Sequence, residues 1–333
     1  MTTSKKAALR WTGKPGGSGR PRVVILGGGF GGITTARALE RLRKGDEFEI
    51  VLVNKENHFV FQPMLPEVIS GTIGLVDVVS PLRRLLPKSD VHVREVEAID
   101  VEGKTITTST GFHPHPHVLR WDHLVVALGT QTDFRGMRGL PEHAFPFKNL
   151  SDALSLRNHV IRTLEEAAVE VHDVELRRKL LTFVVAGGGF SGVEVAAELN
   201  DFVRHVGKLY PRIDAKEIRV ILLHGQKRIL PEMDEKLAAF AHRILGSRGV
   251  EIRLETRLAA STSDEALLEG GERIACKTLV STVPASPHPL VEALPIAKTK
   301  NGKLEVDAML AVKDAPGVWA VGDCAAVPAP EGG

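Results

Sequence analysis

The sequence predicts an α/β protein with two similar domains, each built on a parallel β-sheet with flanking helices. A chain of 333 residues favours two domains over one. A strand, glycine turn, helix and second strand follow one another at Gly27 and do so again at Gly187. Hydrophobic residues make up 43% of the chain and charged residues 25%, which is enough apolar material for two cores.

The first copy of the pattern begins with residues 22–26 (RVVIL), a run typical of a buried parallel strand. Gly27, Gly29 and Gly32 then give the spacing G-x-G-x-x-G, a helix is predicted over 33–43, and a second strand over 49–53. In this context the first glycine permits a tight turn, the second lets a pyrophosphate approach the backbone, and the third lets the helix pack on the strand. The copy therefore predicts a dinucleotide site at the helix N-terminus.

The second copy repeats the order of the first. It consists of strand 181–186, glycine turn 187–192, helix 193–206 and strand 218–223. Two further apolar segments, 122–130 and 317–323, read as strands that end in Gly129-Thr130 and in Gly322-Asp323. A single G-x-G-x-x-G is a weak signal, whereas two copies in the right context predict two dinucleotide-binding domains.

This arrangement resembles the flavoproteins with tandem FAD and NAD(P)H domains, which have the glutathione-reductase-like fold. The resemblance implies two Rossmann-like domains. It implies an FAD-binding domain made of residues 21–148 and 290–333, with an NAD(P)H-binding domain, 149–289, inserted between the two parts. Residues 1–20, which hold five basic and no acidic residues, are expected to be a flexible tail.

Residues 57–66 (NHFVFQPMLP) are similar to the loop that runs beside the isoalloxazine ring in type II NADH dehydrogenases. Segments 187–199 and 208–211 fit the same family. The resemblance implies that hydride passes from NADH or NADPH to FAD and that electrons go on to an acceptor, which we expect to be a quinone. Disulfide reductases of this fold need two close cysteines, and residues 55–75 contain none. We expect Cys324 to be structural.

The resemblance also implies the site residues. The expected FAD contacts are Gly27, Gly29, Phe30, Gly31, Gly32, Asn54, Lys55, Gln62, Pro63, Val96, Gly129, Thr130, Gly322 and Asp323, the last on the ribityl chain. The expected nicotinamide dinucleotide contacts are Gly187, Gly189, Phe190, Ser191, Gly192, His224 and Arg228. Glu194 is the expected catalytic residue, linked to proton handling and kept ionised by the helix dipole. The alternative for Glu194 is a carboxylate that only stabilises the helix start.

The chain departs from the family pattern near each cofactor. Asn54 stands where an acidic residue usually binds the ribose hydroxyls, which predicts weaker but surviving FAD binding. His224, with Lys227 and Arg228 after it, stands where NADH-specific relatives have an acid, which predicts NADPH acceptance unless these are only solvated loop charges. Residues 281–284 (STVP) lack a glycine found in relatives, which predicts a narrower nicotinamide cleft.

The chain ends at Gly333, shortly after Asp323, whereas the family continues further, so we expect a C-terminally truncated relative in which a quinone site is not assignable. A non-catalytic flavin-binding protein and a sulfide:quinone or ferredoxin-type reductase are the alternatives. We expect a cytoplasmic protein whose full-length family associates with the inner face of the membrane through an anchor that this chain lacks. No nucleic-acid partner is expected. No metal is expected either, since His113, His115 and His117 are assigned to a solvent loop. A homodimer is a possibility that the sequence does not decide.

Overall fold

The computed structural model describes residues 19–112, 115–134, 136–282 and 286–328. The helices are α1 (Phe30–Leu42), α2 (Leu65–Ser70), α3 (Leu82–Leu85), α4 (Leu140–His143), α5 (Leu150–Val169), α6 (Val174–Leu180), α7 (Phe190–Gly207), α8 (Glu235–Ser247) and α9 (Pro289–Ala293). Short 3₁₀ helices cover Gln62–Met64 and Leu75–Asp77.

Most of the strands belong to two parallel sheets and two antiparallel meanders. The strands are β1 (Arg22–Leu26), β2 (Glu49–Asn54), β3 (His58–Val60), β4 (Val79–Pro81), β5 (Asp90–Val93), β6 (Val96–Asp100), β7 (Thr105–Thr108), β8 (His117–Arg120), β9 (His123–Val126), β10 (Thr130–Gln131), β11 (Phe145–Pro146), β12 (Thr182–Ala186), β13 (Arg219–Leu223), β14 (Val250–Arg253), β15 (Leu258–Ser261), β16 (Glu265–Leu268), β17 (Arg273–Ala275), β18 (Thr278–Ser281), β19 (Ser286–Pro287), β20 (Leu304–Glu305), β21 (Val318–Ala320) and β22 (Ala325–Ala326).

The described residues form two compact units. The first unit takes those of Met1–Val60, Val79–Gln131 and Ser286–Gly333, and the second takes those of Phe61–Val78 and Thr132–Ala285. Residues 61–78 and 132–148, predicted for the first domain, group with the second unit, where α2 packs against α5 and α7 and β11 pairs with β18. Residues 286–289, predicted for the inserted domain, group with the first unit. The assignment of each domain to a cofactor stays a prediction, and the tail up to residue 18 lies outside the described residues.

The first unit is built on a parallel sheet with the strand order β21-β9-β1-β2-β5. Its central strands are buried on both faces: Val24, Ile25 and Leu26 are 0% exposed. This burial explains why the strand reads as a continuous apolar run rather than an alternating one. An antiparallel meander, β6-β7-β8, follows the third parallel strand along the chain.

The second unit repeats this plan. Its parallel sheet has the order β11-β18-β12-β13-β14, and an antiparallel meander, β15-β16-β17, follows β14, which has the edge position that β5 has in the first unit. The two sheets differ at one edge. The edge strand beside β9 is β21, the last strand of its sheet along the chain, whereas the edge strand beside β18 is β11, the first of its sheet. The predicted α/β fold with two Rossmann-like units is confirmed.

Both fingerprint helices begin earlier than the apolar spacing predicted. The first starts at Phe30 rather than at residue 33, and the second at Phe190 rather than at residue 193. The backbone N–H of Ile33 donates to the Gly29 carbonyl at 3.0 Å, and that of Val193 donates to the Gly189 carbonyl at 3.0 Å. The helices therefore start inside the glycine turns, where residue type gives no helical signal.

The two cysteines are buried free thiols. Burial raises the pKa of Cys276 to about 12 and also raises the pKa of Cys324. Neither thiol has the lowered pKa that a reactive thiolate needs, as expected for Cys324.

The prediction of a solvent loop over the three histidines is wrong for His117, which starts β8, whereas His115 is exposed and His113 lies outside the described residues. Within the described part of the chain, no group of His, Cys, Asp and Glu side chains is arranged to hold a metal. In the same residues, no helix combines the length and the apolar character needed to cross a membrane.

We predict that His92, on the edge strand β5, makes the protein less stable in mild acid. Burial lowers the pKa of His92 from 6.5 to about 4, against a smaller opposing effect of Asp90. His92 does not affect the free energy of unfolding above pH 6.5. As the pH falls toward 4, the unfolded chain takes up a proton that the folded protein does not, and the free energy of unfolding falls by up to about 3 kcal/mol. Chemical denaturation of the wild type and of His92→Gln across this range measures it, and equal pH slopes for both proteins would contradict the prediction.

Candidate dinucleotide-binding sites

The first glycine turn joins β1 to α1 and has room for a ligand at one position only. A Cβ atom on Gly27 would lie 2.2 Å from the Ala127 carbonyl oxygen, and φ at this glycine is +105°. A Cβ on Gly32 would lie 1.9 Å from the Gly27 carbonyl oxygen, so the helix contacts the strand without any side chain between them. A Cβ on Gly29 would meet nothing within 4 Å. Gly29 therefore borders the open space, at a helix start that no side chain caps.

Asn54, at the end of β2, holds this turn in place. Its Oδ1 accepts a hydrogen bond from the Gly28 N–H at 2.8 Å, and its Nδ2 donates to the Glu56 carbonyl at 2.9 Å. The amide oxygen expected to bind a ribose hydroxyl is thus already engaged. A carbonyl oxygen can accept a second hydrogen bond, so a ribose contact at Asn54 stays a prediction.

A cavity of about 180 Å³ beside this turn brings together four of the predicted FAD contacts: Gly27, Asn54, Lys55 and Val96. Sequence reasoning missed Arg94, Glu95, Leu128, His288 and Leu290, which also line it. Lys55 and Glu95 form an exposed ion pair at 3.7 Å. Glu95 supplies a carboxylate near the place where Asn54 lacks one.

The remaining predicted contacts of the first unit follow the ends of neighbouring strands. A Cβ on Gly31 would lie 3.0 Å from the Val321 side chain, so the segment leading to Gly322 and Asp323 lies against the start of α1. Gly129, directly before Thr130 of β10, has open space around it and a φ of +65°. Phe30 is 45% exposed and packs edge-on against Phe59, with ring centroids 5.0 Å apart.

The second glycine turn joins β12 to α7 and repeats this geometry. A Cβ on Gly187 would lie 2.5 Å from Thr282 Oγ1, and one on Gly192 would lie 1.7 Å from the Gly187 carbonyl oxygen. A Cβ on Gly189 would meet only Glu232 Oε1, at 3.7 Å. Thr282 donates to the Ala186 carbonyl at 3.0 Å, so it packs against the turn where relatives were expected to have a glycine.

His224 occupies in the second unit the position that Asn54 has in the first. Its Nδ1 accepts a hydrogen bond from the Gly188 N–H at 3.0 Å. The side chain is buried, and its Nε2 has no hydrogen-bond partner among the described residues. Burial lowers the pKa of His224, against smaller opposing effects of the Arg228 backbone and the Glu232 carboxylate. The ring is therefore held neutral.

A cavity of about 620 Å³ lies over this turn. The predicted residues that line it are Gly187, Gly189, Phe190, Ser191, Gly192 and His224. Arg228 is not among the described residues of the lining, and its guanidinium donates to the Pro231 carbonyl at 3.0 Å. The cation that does line the cavity is Arg257, which no sequence motif indicated.

Glu194 lies on α7 with its side chain exposed. Partial burial of its carboxylate and the nearby Glu67 raise the pKa of Glu194, which opposes the effect expected of the helix dipole, and its ionised state stays a prediction. Glu194 is the fifth residue of α7, beyond the first turn in which the dipole acts. Glu67, on α2, has a buried Oε2 without a hydrogen-bond partner among the described residues.

Gln62 and Pro63, from the loop expected beside the isoalloxazine ring, are exposed residues of the second unit. The Gln62 amide donates to the Lys148 carbonyl at 3.1 Å. Their contact with the flavin stays a prediction.

The comparisons with known proteins agree with this arrangement. Residues 21–331 match the pyridine nucleotide-disulphide oxidoreductase family. The type II NADH:quinone oxidoreductase NdhA of Mycobacterium tuberculosis is 35% identical, over 93% of this chain and 67% of its own length. A probable NADH dehydrogenase of Dictyostelium discoideum is 30% identical, over 92% of this chain and 68% of its own. The chain belongs to the type II NADH dehydrogenase family.

Members of the type II NADH dehydrogenase family are FAD-dependent NAD(P)H oxidoreductases. The fold agrees with that of NDH2 from Plasmodium falciparum in complex with NADH, with a TM-score of 0.85 at 23% identity over 92% of this chain and 65% of that one. The chain spans about two thirds of the length of these relatives.

We predict that Gly29→Val yields a folded protein without flavin. The valine Cβ would enter open space, and the backbone of Gly29 is extended (φ −80°, ψ −170°), so the fold tolerates it while the side chain fills the space expected for a pyrophosphate. The measurements are the thermal midpoint and the flavin absorbance of the purified protein.

Gly32→Ala is the matched contrast, because its Cβ would overlap the Gly27 carbonyl oxygen and lower the thermal midpoint. If the purified Gly29→Val protein contained a full complement of flavin, the assignment of the first glycine turn to the FAD site would be contradicted.

Proposed function

We propose that this chain is the dinucleotide-binding part of an FAD-dependent NAD(P)H dehydrogenase with a quinone-type acceptor. The observation that carries the proposal is the repeated turn, in which the first and last glycines pack closely and the middle one borders open space at an uncapped helix start. The relatives described above support it, since their names state NADH dehydrogenase or NADH:quinone oxidoreductase activity.

The residues present fit two dinucleotides. We assign FAD to the first unit and the nicotinamide dinucleotide to the second, in the order that the family resemblance implies. Each helix start offers backbone N–H groups without an intrahelical acceptor to a pyrophosphate. Asn54 and His224 fix these turns through the N–H groups of Gly28 and Gly188, so each binding surface is formed in advance.

The bound groups would supply the redox chemistry, the reduced nicotinamide as a two-electron donor and FAD as the carrier toward the acceptor. The chain contributes binding and proton handling. We propose that Glu194 takes up and releases a proton at its carboxylate, because partial burial and the negative charge of Glu67 raise its pKa. Glu67 is then a positioning residue that acts through Glu194.

Two alternatives are weaker. The buried Cys276 and Cys324, with their raised pKa values, do not suit a sulfide:quinone reductase, which needs reactive thiols. A flavin-binding protein without turnover keeps the same turns and is an outcome of the test below.

The test is an anaerobic visible spectrum of the purified protein before and after addition of NADH or NADPH. We expect a flavin spectrum that bleaches with at least one nucleotide, because both turns are built to hold a dinucleotide. A flavin spectrum that neither nucleotide bleaches would support the protein without turnover. A purified protein that contains no flavin and takes none up would contradict the proposal.

We predict that Glu67→Gln shifts the pH dependence of flavin bleaching to lower pH. Removing the Glu67 charge lowers the pKa of Glu194 toward its ordinary value, so the proton is lost at a lower pH than in the wild type. The measurement is the rate of bleaching by the preferred nucleotide as a function of pH.

Glu198→Gln, which removes a carboxylate from the same helix one turn further on, serves as the control and should leave the midpoint in place. If Glu67→Gln and Glu198→Gln have the same profile as the wild type, Glu67 does not act on Glu194.

A further inference from the structure

The internal repeat relates two charged residues of opposite sign. In the first unit the Arg94 N–H donates to the Asn54 carbonyl at 2.8 Å, and in the second the Thr256 N–H donates to the His224 carbonyl at 2.9 Å. The next residues in the chain are Glu95 and Arg257. Each of them directly precedes the first strand of its meander, β6 or β15. Glu95 and Arg257 are therefore equivalent positions, one acidic and one basic, beside the end of β2 in the first unit and of β13 in the second.

Arg257 is placed to meet a ligand. It lines the 620 Å³ cavity and lies over Gly225, where a Cβ would come within 2.8 Å of its Cγ and Nε. Glycine at position 225 thus makes room for the side chain. Among the residues that the structure describes, the Arg257 guanidinium has neither a hydrogen-bond nor an ion-pair partner.

His224 lines the same cavity and has a neutral ring. Its Nδ1 accepts the Gly188 N–H, so the neutral ring carries its proton on Nε2. That Nε2 is buried, in a residue that is only 9% exposed, and the Arg228 backbone beside the ring raises the pKa of His224 as a hydrogen-bond acceptor does. The hydroxyls of an unphosphorylated ribose donate hydrogen bonds, so a carboxylate suits them as an acceptor. A 2′-phosphate carries negative charge and acceptor oxygens, so a cationic donor suits it.

Two carboxylates line the same cavity, Glu232 and Glu269. Glu232 lies toward the glycine turn, with its Oε1 3.7 Å from the Cβ position of Gly189. Glu269 is joined to Arg257 through the backbone, its N–H donating to the Arg257 carbonyl at 2.9 Å. Neither carboxylate forms an ion pair with the guanidinium within the described part of the chain.

We propose that Arg257 is the specificity-determining residue that recognises the 2′-phosphate of NADPH. The inference rests on the proposed function, in which the second unit binds the nicotinamide dinucleotide. It replaces Arg228, whose guanidinium is engaged with Pro231, as the cation that reads the adenosine ribose. At the equivalent position of the first unit, Glu95 suits an unphosphorylated ribose diol, the kind that FAD carries.

The test compares the binding of two probes, ADP-ribose and its 2′-phosphate, to the whole flavin-loaded chain by calorimetry. We expect the wild type to bind the 2′-phosphate probe more tightly. We expect Arg257→Ala to cut that preference by roughly ten- to a hundredfold, while ADP-ribose affinity stays within about twofold. Arg257→Glu, which copies the charge of Glu95, should reverse the preference.

Two variants separate a specific contact from general charge. Arg243→Ala removes the same charge from an exposed position on α8 and should leave the preference unchanged. Lys227→Ala removes the loop cation that the sequence pattern favoured. A loss of preference in Lys227→Ala but not in Arg257→Ala would overturn the inference.

The outcomes for the inference and for the proposed function are distinct. If ADP-ribose binds but the wild type shows no preference for the 2′-phosphate probe, the inference fails and the dinucleotide site stands. The inference also fails if Arg257→Ala weakens both probes equally, as stacking of the guanidinium on adenine would. If neither probe binds the wild type, the nicotinamide assignment of the second unit fails with it.

Discussion

Two carbonyl groups, those of Gly27 and Gly187, decide how closely each fingerprint helix approaches its strand. The third glycine of each fingerprint, Gly32 or Gly192, brings a helix against these carbonyls at a distance that admits no Cβ. This packing fixes the direction in which each helix start points, and the open middle glycine follows from it. The binding surfaces of both units therefore depend on a backbone contact that only glycine allows.

The sequence predicts the fold well because its signals are local. The glycine spacing and the buried strands lie within about thirty residues of one another, and the structure confirms their order and their repetition. Glu95, Arg257 and Glu67 escaped prediction because no local pattern distinguishes them. They reach their positions through hydrogen bonds and helix packing between distant segments, such as the bond from Thr256 to His224. Arg228 was named for its proximity in sequence, and its side chain turns to Pro231 instead.

One scaffold thus carries two different recognition surfaces. Asn54, the last residue of β2, and His224, which directly follows β13, have the same structural role, since each accepts a backbone N–H from the turn. In the inference drawn above, the discrimination between riboses falls to the segments that follow β5 and β14. There the two units differ by a full reversal of charge, Glu95 against Arg257, while the backbone hydrogen bonds around them stay the same.

The two side chains that hold the turns also differ in what a proton does to them. The amide of Asn54 does not titrate, whereas Nδ1 of His224 can accept the Gly188 N–H only while it carries no proton. Because burial lowers the pKa of His224, the bond persists into acid that would protonate an exposed histidine. In stronger acid Nδ1 of His224 gains a proton, so two donors, this N–H and the Gly188 N–H, face each other. Acidification then loosens one glycine turn and leaves its twin intact, so two sites of the same architecture differ in their tolerance of acid.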